Sequence, residues 1–267
     1  MKTPASWKLM INALRFGGEL IGAPSKALKR LQSPGAGMSE SVVLYIVFVA
    51  SAVLFYTWKP EGFPPPSPDA PIPLLPPGRH GLAFWIRVQM WEPVLTGLWV
   101  LCLAAFAGLF RSEFGSLRVK VVLAFLSVLA PGIGILYYRF LPNWVLALIW
   151  LVLLAGYFPL LRQRAAGEWK RLLSLAMAMN IIGIALLPAV VLSVVIESSW
   201  VYNALHYAML FWTIGLGSYL LRELEGISTP RAFITLIFSL FWQIFLVVSL
   251  HFLDLISKDI LKAIMTV

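Results

Sequence analysis

With 267 residues, of which 60% are hydrophobic and only 12% charged, the chain is far more apolar than soluble domains, which have roughly 45–50% and about 25%. A soluble fold of this size cannot bury so much apolar surface, so the composition predicts an all-α, polytopic membrane protein in contact with the lipid bilayer. The net charge of +9 does not indicate nucleic-acid binding, because the basic residues flank apolar runs, as topology signals do.

Residues 1–40 are predicted to form a basic, partly amphipathic arm, and they lack the continuous apolar core of a secretory signal peptide. Apolar side chains recur in this arm with helical spacing, beside several lysines and arginines. The pattern is typical of a helix in the membrane interface, with a flexible tail as the alternative. The residues predicted to contact the interface are Trp7, Lys8, Arg15, Lys29 and Arg30.

The first predicted span covers residues 41–58, and a loop at 59–91 follows, with nine prolines between Pro60 and Pro77. Proline at this density excludes regular helix and favours an extended conformation. We interpret the loop as a docking segment for a partner, with Phe84 and Trp85 as candidate contact residues, or as a plain spacer.

A six-helix domain at 92–252 and a short tail at 253–267 complete the predicted organisation. Each apolar run in this domain is about 18–25 residues long, the length that crosses a ~30 Å hydrocarbon layer. Residues 121–162 and 178–222 share a weak pattern that indicates either a parallel repeat or chance similarity. The six predicted spans are 93–110, 119–138, 144–161, 172–196, 200–221 and 232–252.

With seven spans, successive connecting segments alternate between the two sides of the membrane, so each segment can be assigned to the side of the N-terminus or to the other side. The segments on the side of the N-terminus contain 15 basic residues, and the segments on the other side contain six. Because cytoplasmic segments carry the excess of lysine and arginine, this bias predicts a cytoplasmic N-terminus.

The sequence predicts no catalytic, metal or cofactor site. No Asp, Glu, Lys or Arg lies centrally in a predicted span, which argues against a pump or an ion-coupled carrier. His206 and His251 are conceivable ligands of a haem between two helices, but nothing else in the sequence indicates a cofactor. Asn180 and Gln243 are expected to join helices by hydrogen bonds.

Three tracts in the second half of the chain resemble the membrane domain of bacterial Yip1-family proteins: residues 168–171, residues 187–189, and the stretch from Leu221 to Ala232 with its Gly-Ile-Ser turn and Arg-Ala helix start. That family typically has five spans, not seven, and the Asp-Leu-Tyr-Gly-Pro tract of its eukaryotic members is missing here. The resemblance implies a non-enzymatic protein of the bacterial inner membrane that contacts other membrane proteins or shapes membranes.

The turn after residue 221 has its own physical interpretation. Gly226 is expected to end one helix in the left-handed conformation, and Ser228 or Thr229 to begin the next. The charged residues of this turn indicate either a docking point for a partner or a solvated hairpin. The candidate contact residues are Glu223, Glu225 and Arg231.

From these patterns, the predicted function is that of a non-catalytic scaffold or interaction subunit of a membrane complex. The alternative is a permease-like subunit that moves a lipid or another apolar substrate.

Overall fold

The computed structural model describes residues 5–32, 37–60, 62–65, 80–138 and 140–266, so most of the proline-rich tract lies outside the described residues. This described part of the chain is largely helical and contains no β-strand. Its helices in chain order are α1 (Ala5–Gly22), α2 (Pro24–Gln32), α3 (Met38–Trp58), α4 (Leu82–Gln89), α5 (Glu92–Arg111), α6 (Leu117–Leu136), α7 (Asn143–Arg162), α8 (Ala166–Met179), α9 (Ile181–Val195), α10 (Ser199–Glu225), α11 (Thr229–Phe252) and α12 (Lys258–Thr266).

Seven helical segments of the described chain are long and apolar enough to span a membrane, which confirms the predicted all-α, seven-span fold. In two of them a pair of consecutive helices forms one span of 30 residues, α4 with α5 and α8 with α9. The seven spans are Met38–Trp58, Leu82–Arg111, Leu117–Leu136, Asn143–Arg162, Ala166–Val195, Ser199–Glu225 and Thr229–Phe252.

Consecutive spans run in opposite directions, so the helix ends fall on two faces of the bundle. The N-terminal face carries the arm and the turns that follow Arg111, Arg162 and Glu225. The opposite face carries the segments that follow Trp58, Leu136, Val195 and Phe252. The assignment of the N-terminal face to the cytoplasm rests on the charge bias and stays a prediction.

The second span differs from its predicted start at residue 93, because it begins at Leu82. Backbone hydrogen bonds continue across the junction of α4 and α5, from Met90 N to Ile86 O at 2.9 Å and from Trp91 N to Val88 O at 3.1 Å. Pro93 has no N–H to continue the ladder of α4, and it lies in the first turn of α5, where this donor is not needed. The proline therefore breaks the span internally and does not precede it.

The fifth span is broken as well, between α8 and α9 at Asn180. The Asn180 side-chain amide donates to the carbonyls of Ala176 and Met177, at 3.5 and 3.2 Å, within its own helix. The prediction that Asn180 joins two helices is therefore wrong. Gln243 does join two helices as predicted, since its Nε2 donates to Leu95 O of α5 at 3.2 Å.

Helices α5 and α11 form the most extensive helix pair in the described bundle. Helices α6 and α7 pack against this pair on one flank, while α3, α8, α9 and α10 are joined through α5, α11 and one another on the other. The two hairpins of the suspected repeat, α6–α7 and α9–α10, thus have different neighbours. A large buried apolar cluster joins the arm to α3, α5, α8, α9, α10 and α11.

The N-terminal arm folds as two helices that pack against the bundle. Ala13, Phe16 and Leu20 of α1 and Leu28 and Leu31 of α2 are buried in the large apolar cluster. Their burial makes the described part of the arm a component of the bundle, unlike the alternative of a flexible tail.

The C-terminal residues 258–266, predicted to belong to a short tail, form the helix α12. Ala263 of α12 is fully buried in a cluster with Trp85 of α4, and Ile264 packs beside it. The chain thus turns back after α11 and lies against the junction of the second span.

Cysteine labelling tests the orientation. In a background in which the buried Cys102 is replaced by Ala, we expect Lys258→Cys to react with an impermeant maleimide in intact cells and Glu113→Cys to react only after permeabilisation. Both positions are exposed, on the opposite and N-terminal faces respectively. The reverse pattern would place the N-terminal face outside.

Candidate functional site

A cleft of about 310 Å³ lies where α3, α4, α5, α11 and α12 meet. Its polar lining consists of one carboxyl group and two carboxamides, from Glu92, Gln89 and Gln243. The remaining lining is apolar and comes from Phe48, Val88, Leu95, Ile244, Val247, Ile264 and Met265. We call this cavity the Glu92 cleft.

Glu92 lies near the middle of the membrane-spanning bundle. Trp85 of α4 stacks on Tyr56, close to the opposite-face end of α3, with ring centroids 4.8 Å apart. From Trp85 the chain continues inward for seven residues to Glu92, which at 1.5 Å per helical residue is about 10 Å deeper. Phe48, which lines the same cleft, is the central residue of the 21-residue α3. Glu92 thus lies within the span Leu82–Arg111, about a third of the way along it, whereas the predicted start at residue 93 had left it outside the spans.

The break in the span determines the environment of the Glu92 carboxyl group. Glu92 is in the first turn of α5, where the free backbone N–H groups and the helix dipole favour an acidic side chain. The hydroxyl of Thr96, one turn later, hydrogen-bonds to this carboxyl group. No basic side chain among the described residues lies within 4 Å of it. The carboxyl group therefore has polar neighbours but no counter-charge from the described chain.

The second helix break lies next to the same part of α3. Gly183, three residues after Asn180, packs so closely on Phe48 that a Cβ atom at Gly183 would be 2.9 Å from the Phe48 ring. Phe48 thus separates the first turn of α9 from the Glu92 cleft. The second and the fifth span are therefore both interrupted next to Phe48.

The cleft opens towards the outer surface of the bundle between α11 and α12. Ile244 and Met265, which line it, are 40% and 49% exposed. Gln89 at its inner end is 5% exposed. The cleft therefore has an apolar mouth, between the last span and α12, and less exposed polar groups further in.

A larger groove of about 510 Å³ lies between α7 and α11, but its chemistry is different. Its lining is apolar apart from Trp150 and Ser249. The indole N–H of Trp150 donates to Ser249 Oγ at 2.9 Å, and this hydroxyl donates to Phe245 O at 2.7 Å. Its polar groups are therefore engaged within the protein, and the groove fits hydrocarbon.

A network of four charges, of which Arg164 and Glu225 are buried, joins the helix ends of the N-terminal face. Arg164, between α7 and α8, makes two hydrogen bonds to the carboxylate of Glu225 at the end of α10, at 2.8 and 2.9 Å. Its second Nη atom also donates to Ala104 O of α5 at 3.0 Å. Arg111 and Glu168 complete the network, 3.3 Å from each other.

The network changes the interpretation of the turn after α10. The side chain of Glu225 is 4% exposed and bonded to Arg164, so it is not available on the surface for a partner. Glu223 is accessible and pairs with Arg222, and Arg231 is partly exposed. Gly226 ends α10 with φ +64°, the predicted left-handed conformation, and Ser228 precedes α11 at its N-cap position.

An aromatic cluster on the opposite face contains Phe84 and Trp85, the two residues of the predicted 59–91 loop that were expected to contact a partner. Trp85 is 5% exposed between Tyr56 and Phe84, so its ring is already covered by the protein. Phe84 is partly exposed and stacks on His80 with centroids 4.2 Å apart. These two residues and the Glu223 turn lie on different faces and do not form one surface.

Lys59, next to this cluster, is packed between two tyrosines. Its Nζ lies 5.5 Å from the ring centroid of Tyr56 and 5.3 Å from that of Tyr202, and it donates to the Tyr202 hydroxyl at 3.4 Å. Burial lowers the pKa of Lys59 from 10.5 to about 8, because desolvation disfavours the charged form. His206 packs against the same Tyr202 ring.

The residues predicted to contact the membrane interface are distributed along α1 and α2. Trp7, Lys8, Arg15 and Lys29 are exposed, whereas Arg30 is partly buried. Glu19 pairs with Arg15 at 3.3 Å and with Arg30 at 3.1 Å. Part of the positive charge of the arm is therefore neutralised within it.

Two of the three histidines lie against backbone carbonyl groups that are close to them in sequence. His206 Nδ1 lies 2.8 Å from Tyr202 O, and His251 Nδ1 lies 2.8 Å from Ile256 O. No group of three or more His, Cys, Asp or Glu side chains in the described part of the chain has the arrangement of a metal site.

No family model, no curated protein and no solved structure matches this chain. The chain is a polytopic helical membrane protein, and this follows from its own composition and its seven apolar spans.

The charge network makes a prediction about stability. Glu225→Gln preserves the shape of the side chain but leaves the buried Arg164 with only the partly exposed Glu168, 3.6 Å away, as a counter-charge, and we expect it to lower the free energy of unfolding by about 3 kcal/mol. Glu223→Gln is the matched control, because it removes a partly exposed pair worth less than about 1 kcal/mol. Thermal unfolding of the purified variants in one detergent measures both. Equal midpoints for the two variants would contradict the assigned role.

The low pKa of Lys59 makes a prediction about pH. Between the folded-state value of about 8 and the ordinary 10.5, the unfolded chain binds more protons at Lys59 than the folded chain, so this residue makes stability rise with pH. We expect Lys59→Met to remove this contribution. The difference between the thermal unfolding midpoints of the wild type and Lys59→Met should therefore change as the pH is raised from about 8 to about 10.5. Lys258→Met, at an exposed position, should follow the wild type. A constant difference for Lys59→Met would contradict the lowered pKa.

Proposed function

We propose that this chain is a permease-like membrane protein or subunit that admits an amphiphilic substrate from the bilayer into the Glu92 cleft. The observation that carries the proposal is the partly buried carboxyl group of Glu92 at the break of a membrane span, which has no basic side chain within 4 Å among the described residues. Ionisable groups within spans are costly and typically mark substrate or ion pathways.

The two broken spans support this proposal. In many transporters, discontinuous helices meet near the bilayer midplane, and the free N-terminus of a half-helix contributes to the substrate site. Here α5 begins with Glu92 at the cleft, and α9 begins beside Phe48 on the other side of α3. The cleft also has the mouth that an amphiphile needs, since Ile244 of the last span and Met265 of α12 are exposed beside it.

A scaffold or interaction subunit is the second candidate function, in line with the resemblance to Yip1-family proteins, which itself stays a prediction. The observation that favours it is the α6–α7 hairpin, whose outer surface is broadly apolar and exposed, for example at Leu151, Val152 and Phe158. Lipid accounts for such a surface as well as a partner does. A bacterial inner membrane as the location is part of the same proposal.

A flux assay tests the permease-like function. Wild-type protein in liposomes is expected to accelerate transbilayer movement of at least one of three acyl-labelled fluorescent amphiphiles, with amine, neutral or anionic headgroups, measured by chemical bleaching of the outer leaflet. Glu92→Gln removes the charge, and Ile244→Trp narrows the mouth without changing the carboxyl group. We expect each to slow the movement at least about tenfold, the effect of roughly 1.4 kcal/mol.

The matched control is Glu113→Gln, which removes an exposed carboxylate between α5 and α6. It should behave as wild type. If wild-type liposomes bleach no faster than protein-free ones with all three amphiphiles, the permease-like function is wrong.

A further inference from the structure

We propose that the Glu92 cleft selects a cationic nitrogen, the ammonium headgroup of an amphiphile whose apolar part remains at the mouth of the cleft. The inference rests on the proposed function and specifies its substrate class. It follows from the charge, the size and the polarity gradient of the cleft.

The charge of the lining is the first argument. An ionised carboxylate buried without a counter-charge is strongly disfavoured, so a bound positive charge stabilises it. Glu92 is the only charged residue among the ten described residues that line the cleft, and none of them is basic. A phosphate or sulfonate headgroup would find no positive partner in this lining and would be repelled by Glu92. The lining therefore discriminates between headgroups by charge.

The size of the cleft distinguishes an organic cation from a metal ion. A volume of about 310 Å³ corresponds to roughly ten water-sized groups at ~30 Å³ each, far more than a dehydrated inorganic cation occupies. Ca²⁺ or Mg²⁺ needs about six oxygen ligands in a compact shell. The cleft offers the carboxyl oxygens of Glu92 and the amide oxygens of Gln89 and Gln243, and its other lining is hydrocarbon. Methyl or methylene groups bound to a ligand nitrogen could pack against the apolar side chains of Val88, Leu95 and Val247.

The two carboxamides have different freedom to bind a ligand. Gln243 already donates to Leu95 O through its Nε2, so its side-chain oxygen remains as an acceptor. Gln89 is 95% buried and lies one turn before Glu92 on the chain. An ammonium group with N–H bonds is thus expected to donate to carboxyl and amide oxygens together, while a quaternary group relies on the charge of Glu92.

The position of the mouth explains how such a substrate enters. Ile244 of the last span and Met265 of α12 present apolar, exposed surface, and Glu92 is less exposed. An amphiphile that approaches from the lipid can bring its headgroup to Glu92 while its chain stays against these side chains. A purely polar cation lacks this apolar contact and should bind more weakly.

Equilibrium binding tests the inference. Tritiated decyltrimethylammonium is bound to immobilised full-length protein in a neutral detergent and displaced by decylammonium, decanesulfonate, decyl glucoside or sodium chloride. We expect displacement by decylammonium and not by decanesulfonate or sodium. Glu92→Gln should weaken binding roughly 30-fold or more, which corresponds to about 2 kcal/mol for the loss of one partner of a buried charge pair. Glu113→Gln should bind as wild type.

The outcomes separate this inference from the proposed function. Decyl glucoside could displace the ligand as effectively as decylammonium, with binding unchanged in Glu92→Gln and weakened in Ile244→Trp. This result would leave the cleft as a substrate site but overturn its selectivity for a positive charge. Displacement by sodium at low concentration would show an inorganic cation site and overturn the inference. Absence of binding to the wild type, together with no flux of any amphiphile, would overturn both. Circular dichroism of each variant verifies that it is folded.

Discussion

The packing of α5 against α11 is the interaction around which the other spans are arranged. Trp99 of α5 donates its indole N–H to Ser239 Oγ of α11 at 3.1 Å, and Trp242 of α11 donates to Ser127 O of α6 at 2.8 Å. An indole N–H has no water to bond with inside a bilayer, so each must find an acceptor in the protein. Because these bonds join different helices, they fix the rotation of α11 about its axis. That rotation directs Gln243 to α5 and the Glu92 cleft.

The two faces of the bundle differ in how they treat charge. On the N-terminal face, Arg164 and Glu225 compensate each other and bond to α5 through Ala104 O, so the ends of α5, α7, α8 and α10 are held together. Gly108 lets α7 approach α5 there, since a Cβ atom at that position would be 3.2 Å from Leu160. Towards the opposite face, Glu92 has no such partner among the described residues. A compensated pair holds helices in place, whereas an uncompensated carboxyl group is free to bind a ligand.

The sequence predicted the number of spans because long apolar runs leave few alternatives in lipid. It did not predict the start of the second span, because Pro93 and the neighbouring polar residues resemble a boundary when considered alone. Trp85 and Val88 of α4 pack in one cluster with residues of α3 and α12, contacts that are distant in sequence. The same holds for Arg164 and Glu225, 61 residues apart. Arg164 was counted as a topology signal, and its one local hint was Glu168 at the i+4 position.

The misplaced span boundary had a direct effect on the functional interpretation. With a span that begins at residue 93, Glu92 is a headgroup-level charge, and the bundle looks inert. With α4 added, the same carboxyl group lies about 10 Å further inside, at the start of a half-helix and in a cavity. Burial alone does not make such a group functional, since Glu225 is more deeply buried than Glu92 and only holds helices together. The difference is the partner: Arg164 fills the role of counter-charge for Glu225, and the cleft beside Glu92 provides the space for a counter-charge from outside the chain.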